Sequence, residues 1–197
     1  MHALSIVAHP SPDSFSHRMA CVAGEVLTGL GIEVRFHDLY AEAFDPVQRV
    51  TESANTTSDD ALIEVHCTDL READLIMVFH PNWWSQPPAI LKGWIDRVWR
   101  LDTAYGYPQG TGLDGVPRGL LRARAGLVFN TSNTPVERET EVFGDPLQGI
   151  WKRSVFELCG ITQFVRRMYG PMASASTAQR DQWLSEVQHI VRQCYAD

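Results

Sequence analysis

The sequence predicts an α/β fold: a three-layer sandwich in which helices cover both faces of a five-stranded parallel sheet. Five short apolar runs alternate with longer segments whose apolar residues recur every three or four positions. Connections between parallel strands are right-handed, and the strand order 2-1-3-4-5 satisfies this rule. In such a sheet a ligand crevice is expected between the carboxyl ends of strands 1 and 3.

The first half of the chain contains three predicted strands and three predicted helices. The strands are short apolar runs at residues 3–8, 32–36 and 75–79. The helices have apolar residues at helical spacing and are predicted at 15–30, 59–72 and 89–100. Gly31 closes the first helix in the position favoured for a left-handed cap. The second strand alternates apolar and charged residues and is expected to be more exposed, and residues 38–58 are predicted to be mostly loop.

The second half contains two more strands, predicted at residues 125–130 and 161–168. Apolar residues from Val142 to Leu158 predict a helix that Gly160 ends, and a terminal amphipathic helix follows. Residues 102–118 are rich in glycine and proline and predict a long surface loop. The pair Arg166–Arg167 is interpreted as a solvated strand end. No internal repeat or linker is visible, so residues 1–197 are expected to form a single domain.

Composition excludes several classes of protein. The net charge of −7 argues against a nucleic-acid surface, and no apolar run approaches the length of a membrane span. The N-terminus lacks the cationic region of a secretory signal. The four cysteines are scattered and form no CxxC pair. We therefore expect reduced, mostly buried thiols, no metal site, and a cytoplasmic protein that does not insert into a membrane.

The most informative stretch runs from strand 3 into the following helix, DLIMVFHPNWWSQPPAILKGWIDRVW. Two adjacent tryptophans, Trp83 and Trp84, lie at the strand-to-helix crossing, where ligands bind in open α/β sheets. Rigid aromatic rings there suit a flat, conjugated ligand better than a phosphate alone or a metal. The alternative is that both pack into the core or a subunit contact, as is expected for Trp99 and Trp151 on helical apolar stripes.

Two further loops follow strands 1 and 4 and should reach the same edge. The first, residues 9–17, offers hydroxyls, imidazoles and the free amides of a starting helix, which bind phosphate. Ser14 can equally be a simple helix cap. The other loop, residues 130–135, is polar and supplies hydrogen-bonding groups for the edge of a ring. Neither GxGxxG nor GxxxxGK[ST] is present, which disfavours a dinucleotide fingerprint and a P-loop.

No dedicated catalytic side chain is evident. The sequence has no GxSxG elbow and no HExxH motif. His9 and His80 fall near the predicted site, but a lone histidine is more often structural. An enzyme without a nucleophile or metal set often takes its chemistry from a cofactor.

At these residues the chain resembles the flavodoxin-like NAD(P)H:quinone oxidoreductases, the DT-diaphorase type and its bacterial relatives. Four stretches carry the resemblance: AHPSPDSFSHRM, DLYAEAFDP, HPNWWSQPPAILKGWIDRV and FGDPLQGIWKRSVFELCGI. The resemblance implies a flavodoxin-like fold, a non-covalent FAD or FMN, NAD(P)H as electron donor, and a homodimer with the active site near the interface.

The resemblance also implies roles for individual residues. The first loop would hold the flavin phosphates through His9, Asp13, Ser14, Phe15, Ser16 and Arg18. The second would line the isoalloxazine through Pro81, Asn82, Trp83, Trp84 and Ser85. The third would reach the polar edge of the ring through Asn130, Thr131, Ser132 and Asn133.

Two departures from the family concern the third loop and the residues after it. Ser132-Asn133 replaces a Gly-Gly pair, and residues 137–143 lack the tyrosine and histidine that stabilise charge on the reduced flavin. Either backbone donors take over this role, or Tyr105 or Tyr107 from the long loop acts as the catalytic substitute. The departures leave the preference for quinone open.

The resemblance implies a two-electron, ping-pong flavoenzyme that passes hydride from NAD(P)H to a quinone or similar electrophilic acceptor. The partners expected are therefore a nicotinamide nucleotide, a small acceptor and a second copy of the chain. An alternative is a regulatory flavoprotein similar to the ancillary subunits of potassium-efflux systems. A one-electron flavodoxin carrier and a structural domain without ligand are further alternatives.

Overall fold

The computed structural model describes residues 1–53, 57–108 and 115–196, and it confirms the predicted sheet. In chain order the strands are β1 (His2–Val7), β2 (Glu33–Asp38), β3 (Leu75–Pro81), β4 (Tyr105–Gly106), β5 (Arg118–Gly119), β6 (Ala125–Thr131) and β7 (Gln163–Tyr169). Five of them form one sheet in the order β2-β1-β3-β6-β7, with every neighbouring pair parallel. This is the predicted order 2-1-3-4-5 of a flavodoxin-like fold.

The helices alternate with the strands. They are α1 (Phe15–Gly29), α2 (Val50–Ser53), α3 (Ala61–Glu72), α4 (Ala89–Val98), α5 (Val136–Glu141), α6 (Pro146–Gly149) and α7 (Thr177–Ala196). A π-helix, Ile150–Glu157, continues directly from α6, and a short 3₁₀ turn, Met172–Ser174, precedes α7. Gly31 and Gly160 have φ values of +77° and +97°, which confirms both as helix-terminating positions. No helix among the described residues is long and apolar enough to cross a membrane.

The three central strands are buried at every residue, because both faces of the sheet are covered. Alternate side chains enter two separate cores. Leu4 and Ile6 face the core formed with α3, α4 and the π-helix, which includes Trp94, Trp99 and Trp151. Ala3 and Val7 face the core formed with α1 and α7. Trp99 and Trp151 are thus confirmed as core residues, and β2 is more exposed than the three central strands, as predicted.

The motif ILKGWIDRV in α4 packs the segment after β2 against the domain. Arg97 is buried, and its Nε and Nη2 donate hydrogen bonds to the Glu52 carboxylate at 2.9 and 2.6 Å. Its Nη1 donates to the carbonyl of Asp45 at 2.6 Å. Gly93 admits the same segment, because a Cβ there would lie 2.2 Å from the carbonyl oxygen of Pro46. These residues of the motif are therefore structural, although the motif is one of the clearest marks of the family resemblance.

Two element predictions are wrong in part. Residues 102–118 are not all loop, since β4 and β5 pair as an antiparallel ladder within them, and residues 109–114 lie outside the described residues. The predicted helix from Val142 is interrupted, because Gly144 and Asp145 have positive φ and begin a new helix at Pro146. Val142 and Phe143 are exposed and belong to the connection.

Two side-chain predictions also need correction. Arg166 is not solvated: its side chain is 5% exposed and it donates to Asn130 Oδ1 at 2.8 Å. It also contacts Asp145 and Gln148, so it binds the edge strand to the turn before α6. Among the cysteines, Cys67 and Cys159 are buried, but Cys21 is exposed and Cys194 half-buried.

Candidate active site

Three loops meet at the carboxyl edge of the sheet, as the sequence predicts. The amide of Asn82, after β3, donates to the carbonyl of Thr131 at 2.6 Å and joins the second loop to the third. Two adjoining cavities open between the loops, of about 420 and about 590 Å³, and both are lined by Asn82 and Thr134. We call the smaller one the loop-1 cavity and the larger one the tryptophan cavity.

The loop-1 cavity contains most of the residues that the family resemblance implies. The predicted residues on its wall are His9, Asp13, Ser14, Phe15, Pro81, Asn82, Trp83, Thr131, Ser132 and Asn133. Three more residues line it: Thr134, which lies in the predicted third loop but was not singled out, and Met172 and Arg180, which the sequence did not predict. The structure therefore brings residues from all three loops to one cavity, with a contribution from the C-terminal part of the chain.

The N-terminus of α1 forms the end of this cavity that suits a phosphate. Ser14 caps the helix, since its Oγ accepts from the amide of His17 at 3.3 Å, which confirms the capping interpretation. The same Oγ lies 2.8 Å from His17 Nδ1, and His17 Nε2 lies 2.8 Å from Asp38 Oδ2. Ser14 is thus a helix cap that also lines the cavity. The first turn of α1 contains no acidic residue, which leaves the positive end of the helix dipole available to an anion.

Arg180 on α7 places a guanidinium group at the loop-1 cavity. Arg180 donates from Nη2 to the carbonyl of Met172 at 2.9 Å, and its buried Nε has no partner in the described part of the chain. Arg18 does not line this cavity. Its guanidinium lies over the Phe15 ring and 4.0 Å from Asp181 of α7. No local pattern marks Arg180, because its approach depends on how α7 packs across the sheet.

The third loop is held close to the segment after β7. The carbonyl of Ser132 accepts from the amide of Met172 at 2.9 Å, and Asn133 Oδ1 accepts from the amide of Ala173 at 2.9 Å. Gly170 permits this approach, because a Cβ there would lie 2.3 Å from the Ser132 carbonyl oxygen. Asn130 lies beneath the cavity and does not line it, since its Oδ1 is bound by Arg166.

The turn at residues 83–86, which we call the tryptophan turn, forms one wall of the tryptophan cavity. The amide of Trp83 donates to the carbonyl of Gln86 at 3.1 Å, and the amide of Gln86 donates to the carbonyl of Trp83 at 3.0 Å. These two bonds close the turn around Trp84 and Ser85. Both central residues have positive φ, +57° and +56°, a conformation disfavoured by about 1–2 kcal/mol for a residue with a Cβ. Trp84 is 97% exposed, so it is not a core residue. Strained backbone that presents an exposed ring is typical of a ligand site.

The remaining wall of the tryptophan cavity comes from the segment after the third loop. With Trp84, Ser85 and Gln86 on one side, the opposite side is formed by Glu139, Phe143 and Pro146. Trp84 and Ser85 were predicted as site residues, whereas the other four were not.

The two histidines near the edge differ. His80 is fully buried, its Nδ1 lies 2.9 Å from the Pro81 carbonyl, and its Nε2 accepts from Trp151 Nε1 at 3.1 Å. Burial lowers the pKa of His80 to about 4, so the neutral ring is structural, as expected. His9 lines the loop-1 cavity, and burial lowers its pKa as well.

The structure places the two candidate catalytic tyrosines away from both cavities. Tyr105 pairs with Gly119 in the small ladder, and Gly119 packs against Cys159 and Gly160 just before β7 begins. This is the amino edge of the sheet, opposite the three loops. Tyr105 and Tyr107 are in edge-to-face contact with each other at 6.4 Å. Within one chain, neither replaces the tyrosine and histidine that the family has near the flavin.

A second polar cluster lies between β2, α3 and α4. His37, Glu42 and His66 offer three atoms of metal-ligating type within 4.8 Å of one another. However, Trp94 Nε1 donates to His66 Nδ1 at 3.0 Å, whereas a metal-bound imidazole normally donates through its second nitrogen. A neutral His66 must then carry its proton on Nε2, which lies 3.2 Å from Glu42.

His37 completes an ionic network in this cluster. Its two nitrogens lie 2.8 Å from Glu42 and 2.9 Å from Asp69. Burial alone would lower the pKa of His37, but the hydrogen bonds to both carboxylates outweigh it and raise that pKa. Burial is also the main influence on His66 and lowers its pKa. The cluster is therefore an ion pair with a neutral histidine beside it.

The residues at the carboxyl edge fit a flavin. Several buried polar atoms there have no partner among the described residues: Ser16 Oγ, Asn82 Oδ1, Asn130 Nδ2, Glu139 Oε1 and Arg180 Nε. Buried polar groups are nearly always satisfied, so such a cluster indicates a missing ligand. A helix N-terminus and Arg180 suit a phosphate, and a tryptophan face beside amide groups suits a planar ring with a polar edge.

Comparison with known proteins identifies the family. A family model described as "Flavodoxin-like fold" matches residues 1–191. A protein of Haemophilus influenzae named "Uncharacterized NAD(P)H oxidoreductase" is 31% identical over 174 residues, which cover 86% of this chain and 84% of that protein. Human "Ribosyldihydronicotinamide dehydrogenase [quinone]" is 30% identical over 180 residues, 80% of this chain and 76% of its own length.

The fold comparison agrees. The crystal structure of Smu.1420 from Streptococcus mutans UA159 has a TM-score of 0.84 and 29% identity, and the match covers 98% of this chain and 100% of that one. The chain therefore belongs to the flavodoxin-like family, and the resemblance drawn from its sequence is confirmed. Its curated relatives are named as NAD(P)H oxidoreductases and quinone dehydrogenases, the enzyme class that the sequence predicts.

Proposed function

We propose that the chain is a flavin-dependent oxidoreductase that transfers hydride from NAD(P)H to a quinone or similar electrophilic acceptor by a ping-pong mechanism. The observation that carries the proposal is the pair of adjoining cavities that share Asn82 and Thr134. One cavity has the donors of a phosphate and ring site, and the other has the aromatic wall of a substrate site. We propose that residues 1–197 act together as one flavin-binding domain in the cytoplasm.

The loop-1 cavity would hold the flavin, FMN or FAD. The amides at the start of α1, the Ser14 and Ser16 hydroxyls and Arg180 would bind phosphate. Pro81, Asn82 and Trp83 would contact the ring within this cavity, and Trp84 and Ser85 would contact it from the adjoining tryptophan cavity. Thr131, Ser132 and Asn133 would reach its polar edge. When bound, the flavin would supply the hydride-carrying ring for transfer from the nicotinamide to the acceptor.

The protein's own contribution is binding, orientation and exclusion of water. The tryptophan turn would place one substrate at a time against the ring, holding the reacting atoms close and aligned. Because one cavity serves both substrates, the oxidised nicotinamide must leave before the acceptor enters. Backbone amides of the second and third loops would offer hydrogen bonds to negative charge that develops at the ring edge.

We propose that the chain functions as a homodimer. Large apolar side chains of the tryptophan turn and of the segment around α5 are exposed: Trp84 (97%), Val142 (70%), Phe143 (49%), Val136 (43%) and Trp83 (42%). Contiguous exposed apolar surface favours a protein partner. A second copy covering it is the one route by which Tyr105 or Tyr107 can approach a flavin, so we assign any catalytic role of these tyrosines to the partner subunit.

Oxidation of NADH and NADPH by the flavin-loaded chain tests the proposal, with menadione as the acceptor. We expect turnover that depends on flavin, and parallel lines in double-reciprocal plots, as a ping-pong mechanism requires. Intersecting lines would contradict the ping-pong order. Flavin-loaded protein that oxidises neither nucleotide with this acceptor would contradict the proposed hydride transfer.

A further inference from the structure

The short helix α5 has an inverted burial pattern. Glu139 is its one buried residue, with 1% of its surface exposed. Its apolar neighbours Val136, Val142 and Phe143 instead point outward, with between 43% and 70% exposure. Glutamate is rarely fully buried unless it is paired, so this arrangement is unfavourable for folding alone. It indicates that the carboxyl group serves a ligand.

Glu139 needs a hydrogen-bond donor. Its Oε1 is buried and has no partner in the described ranges of the chain, and the residue lines the tryptophan cavity. A second buried acceptor without a partner, Asn82 Oδ1, belongs to the same cavity. A ligand that satisfies this wall must therefore bring N–H or O–H groups.

The backbone around Glu139 holds it in place. Its carbonyl accepts from the amide of Asp145 at 2.8 Å, across the turn formed by Gly144 and Asp145. Asp145 in turn contacts the buried guanidinium of Arg166 on β7. The backbone of Glu139 is thus tied to the sheet through Asp145 and Arg166.

The two substrates differ in whether they can donate a hydrogen bond to the Glu139 carboxyl group. A quinone presents carbonyl oxygens, which are acceptors and cannot satisfy Glu139. A nicotinamide ring carries a carboxamide, whose nitrogen has two N–H donors, beside a flat face that suits Trp84. We infer that the tryptophan cavity binds the nicotinamide ring of the hydride donor and that Glu139 accepts a hydrogen bond from its carboxamide. The inference rests on the proposed function and assigns to Glu139 the selection of the donor.

Nucleotide analogues test this contact on the flavin-loaded chain without turnover. NAD⁺ and thionicotinamide adenine dinucleotide keep the amide N–H groups, whereas 3-acetylpyridine adenine dinucleotide replaces them with a methyl group. Isothermal titration calorimetry gives the three dissociation constants. Because hydrogen bonds to charged groups are the stronger ones, we expect the acetylpyridine analogue to bind about ten- to a hundredfold more weakly than NAD⁺.

Variants assign the effect to Glu139. Glu139→Ala should bind NAD⁺ and the acetylpyridine analogue with similar affinity, because the acceptor is gone. Glu139→Gln keeps a neutral acceptor oxygen and should reduce the preference to a few-fold. Glu137→Ala, an exposed carboxylate of the same helix, is the matched control and should keep the wild-type preference. The flavin content of each variant, read from its absorbance, shows that the loop-1 cavity is intact.

Each outcome is decisive. Equal affinity of the wild-type chain for NAD⁺ and the acetylpyridine analogue would overturn the inference, and so would an unchanged preference in Glu139→Ala. If Glu139→Ala does not fold, an unchanged preference in Glu139→Gln would overturn it instead. A wild-type chain that takes up no flavin would refute the proposed function itself, and that result is visible before any nucleotide is added.

Discussion

Replacement of Trp84 by alanine separates a role in binding from a role in folding. The indole is 97% exposed, so its removal deletes no core contact and should change the free energy of unfolding by less than about 0.5 kcal/mol. In the proposed complex the Trp84 indole stacks on the isoalloxazine ring of the flavin, and such aromatic stacks contribute about 1–3 kcal/mol each. We therefore expect Trp84→Ala to weaken flavin binding about five- to 150-fold.

The assay is a titration of the cofactor-free protein with FMN and FAD, followed by quenching of flavin fluorescence, with urea denaturation in parallel. Trp84→Phe keeps an aromatic face and should lose less affinity. Val47→Ala, which alters an exposed apolar residue outside both cavities, is the control for general surface effects. A Trp84→Ala protein that folds normally and binds flavin as tightly as the wild type would refute the proposed ring contact.

Three further predictions concern the framework of the site. Arg97→Met leaves the buried Glu52 carboxylate without its guanidinium partner and should cost about 3–5 kcal/mol in urea denaturation at neutral pH. The Arg97 hydrogen bonds lower the pKa of Glu52 to about 2, so this stabilisation is present above the ordinary carboxyl pKa and lost as pH falls toward 2. The difference between wild type and variant should thus shrink on acidification, and a constant difference would contradict the assigned cause. Ser85→Gly relieves a positive φ and should raise the free energy of unfolding by up to about 1 kcal/mol, whereas a decrease would mean that the turn is not strained. Nitrogen-15 NMR at neutral pH should show His37 protonated on both nitrogens and His66 neutral with its proton on Nε2, and a neutral His37 would contradict the ionic network.

The parts of the fold that the sequence predicts correctly are those with local signals. Strands β1, β3 and β6 are apolar at nearly every position because both faces are covered, and that pattern needs no knowledge of the neighbours. Once the sheet is parallel, its strand order and handedness follow from general rules of connection. The meeting of three loops at one edge is a consequence of this topology, which is why most of the predicted site residues lie together.

The parts that were missed depend on contacts between distant segments. Arg180 enters the loop-1 cavity because α7 packs beside α1, and nothing in its own sequence neighbourhood indicates this. Arg166 belongs to an edge strand and was expected to be solvated, but Asn130 and Asp145 enclose it. The most misleading signal was the α5 segment. There the valine and phenylalanine side chains face outward and a glutamate faces the interior, opposite to the pattern on which sequence reasoning relies.

The role of the long loop could not be assigned from one chain. Tyr105 and Tyr107 were considered because the family's tyrosine and histidine are absent from residues 137–143. The ladder between β4 and β5 then places them at the amino edge of the sheet. Only a partner subunit could bring them to a flavin, and sequence patterns within a single chain carry no information about such an approach.

Direct titration of the cofactor-free chain with FMN, FAD and riboflavin tests the central claim, which is that the carboxyl edge of the sheet holds a flavin by its ring and its phosphate. The structure predicts saturation at one flavin per chain for FMN or FAD, with quenched flavin fluorescence beside the tryptophan turn. Riboflavin should bind more weakly, because it has no phosphate for Arg180 and the start of α1. Absence of binding by both FMN and FAD at excess concentration would contradict the assignment of the site.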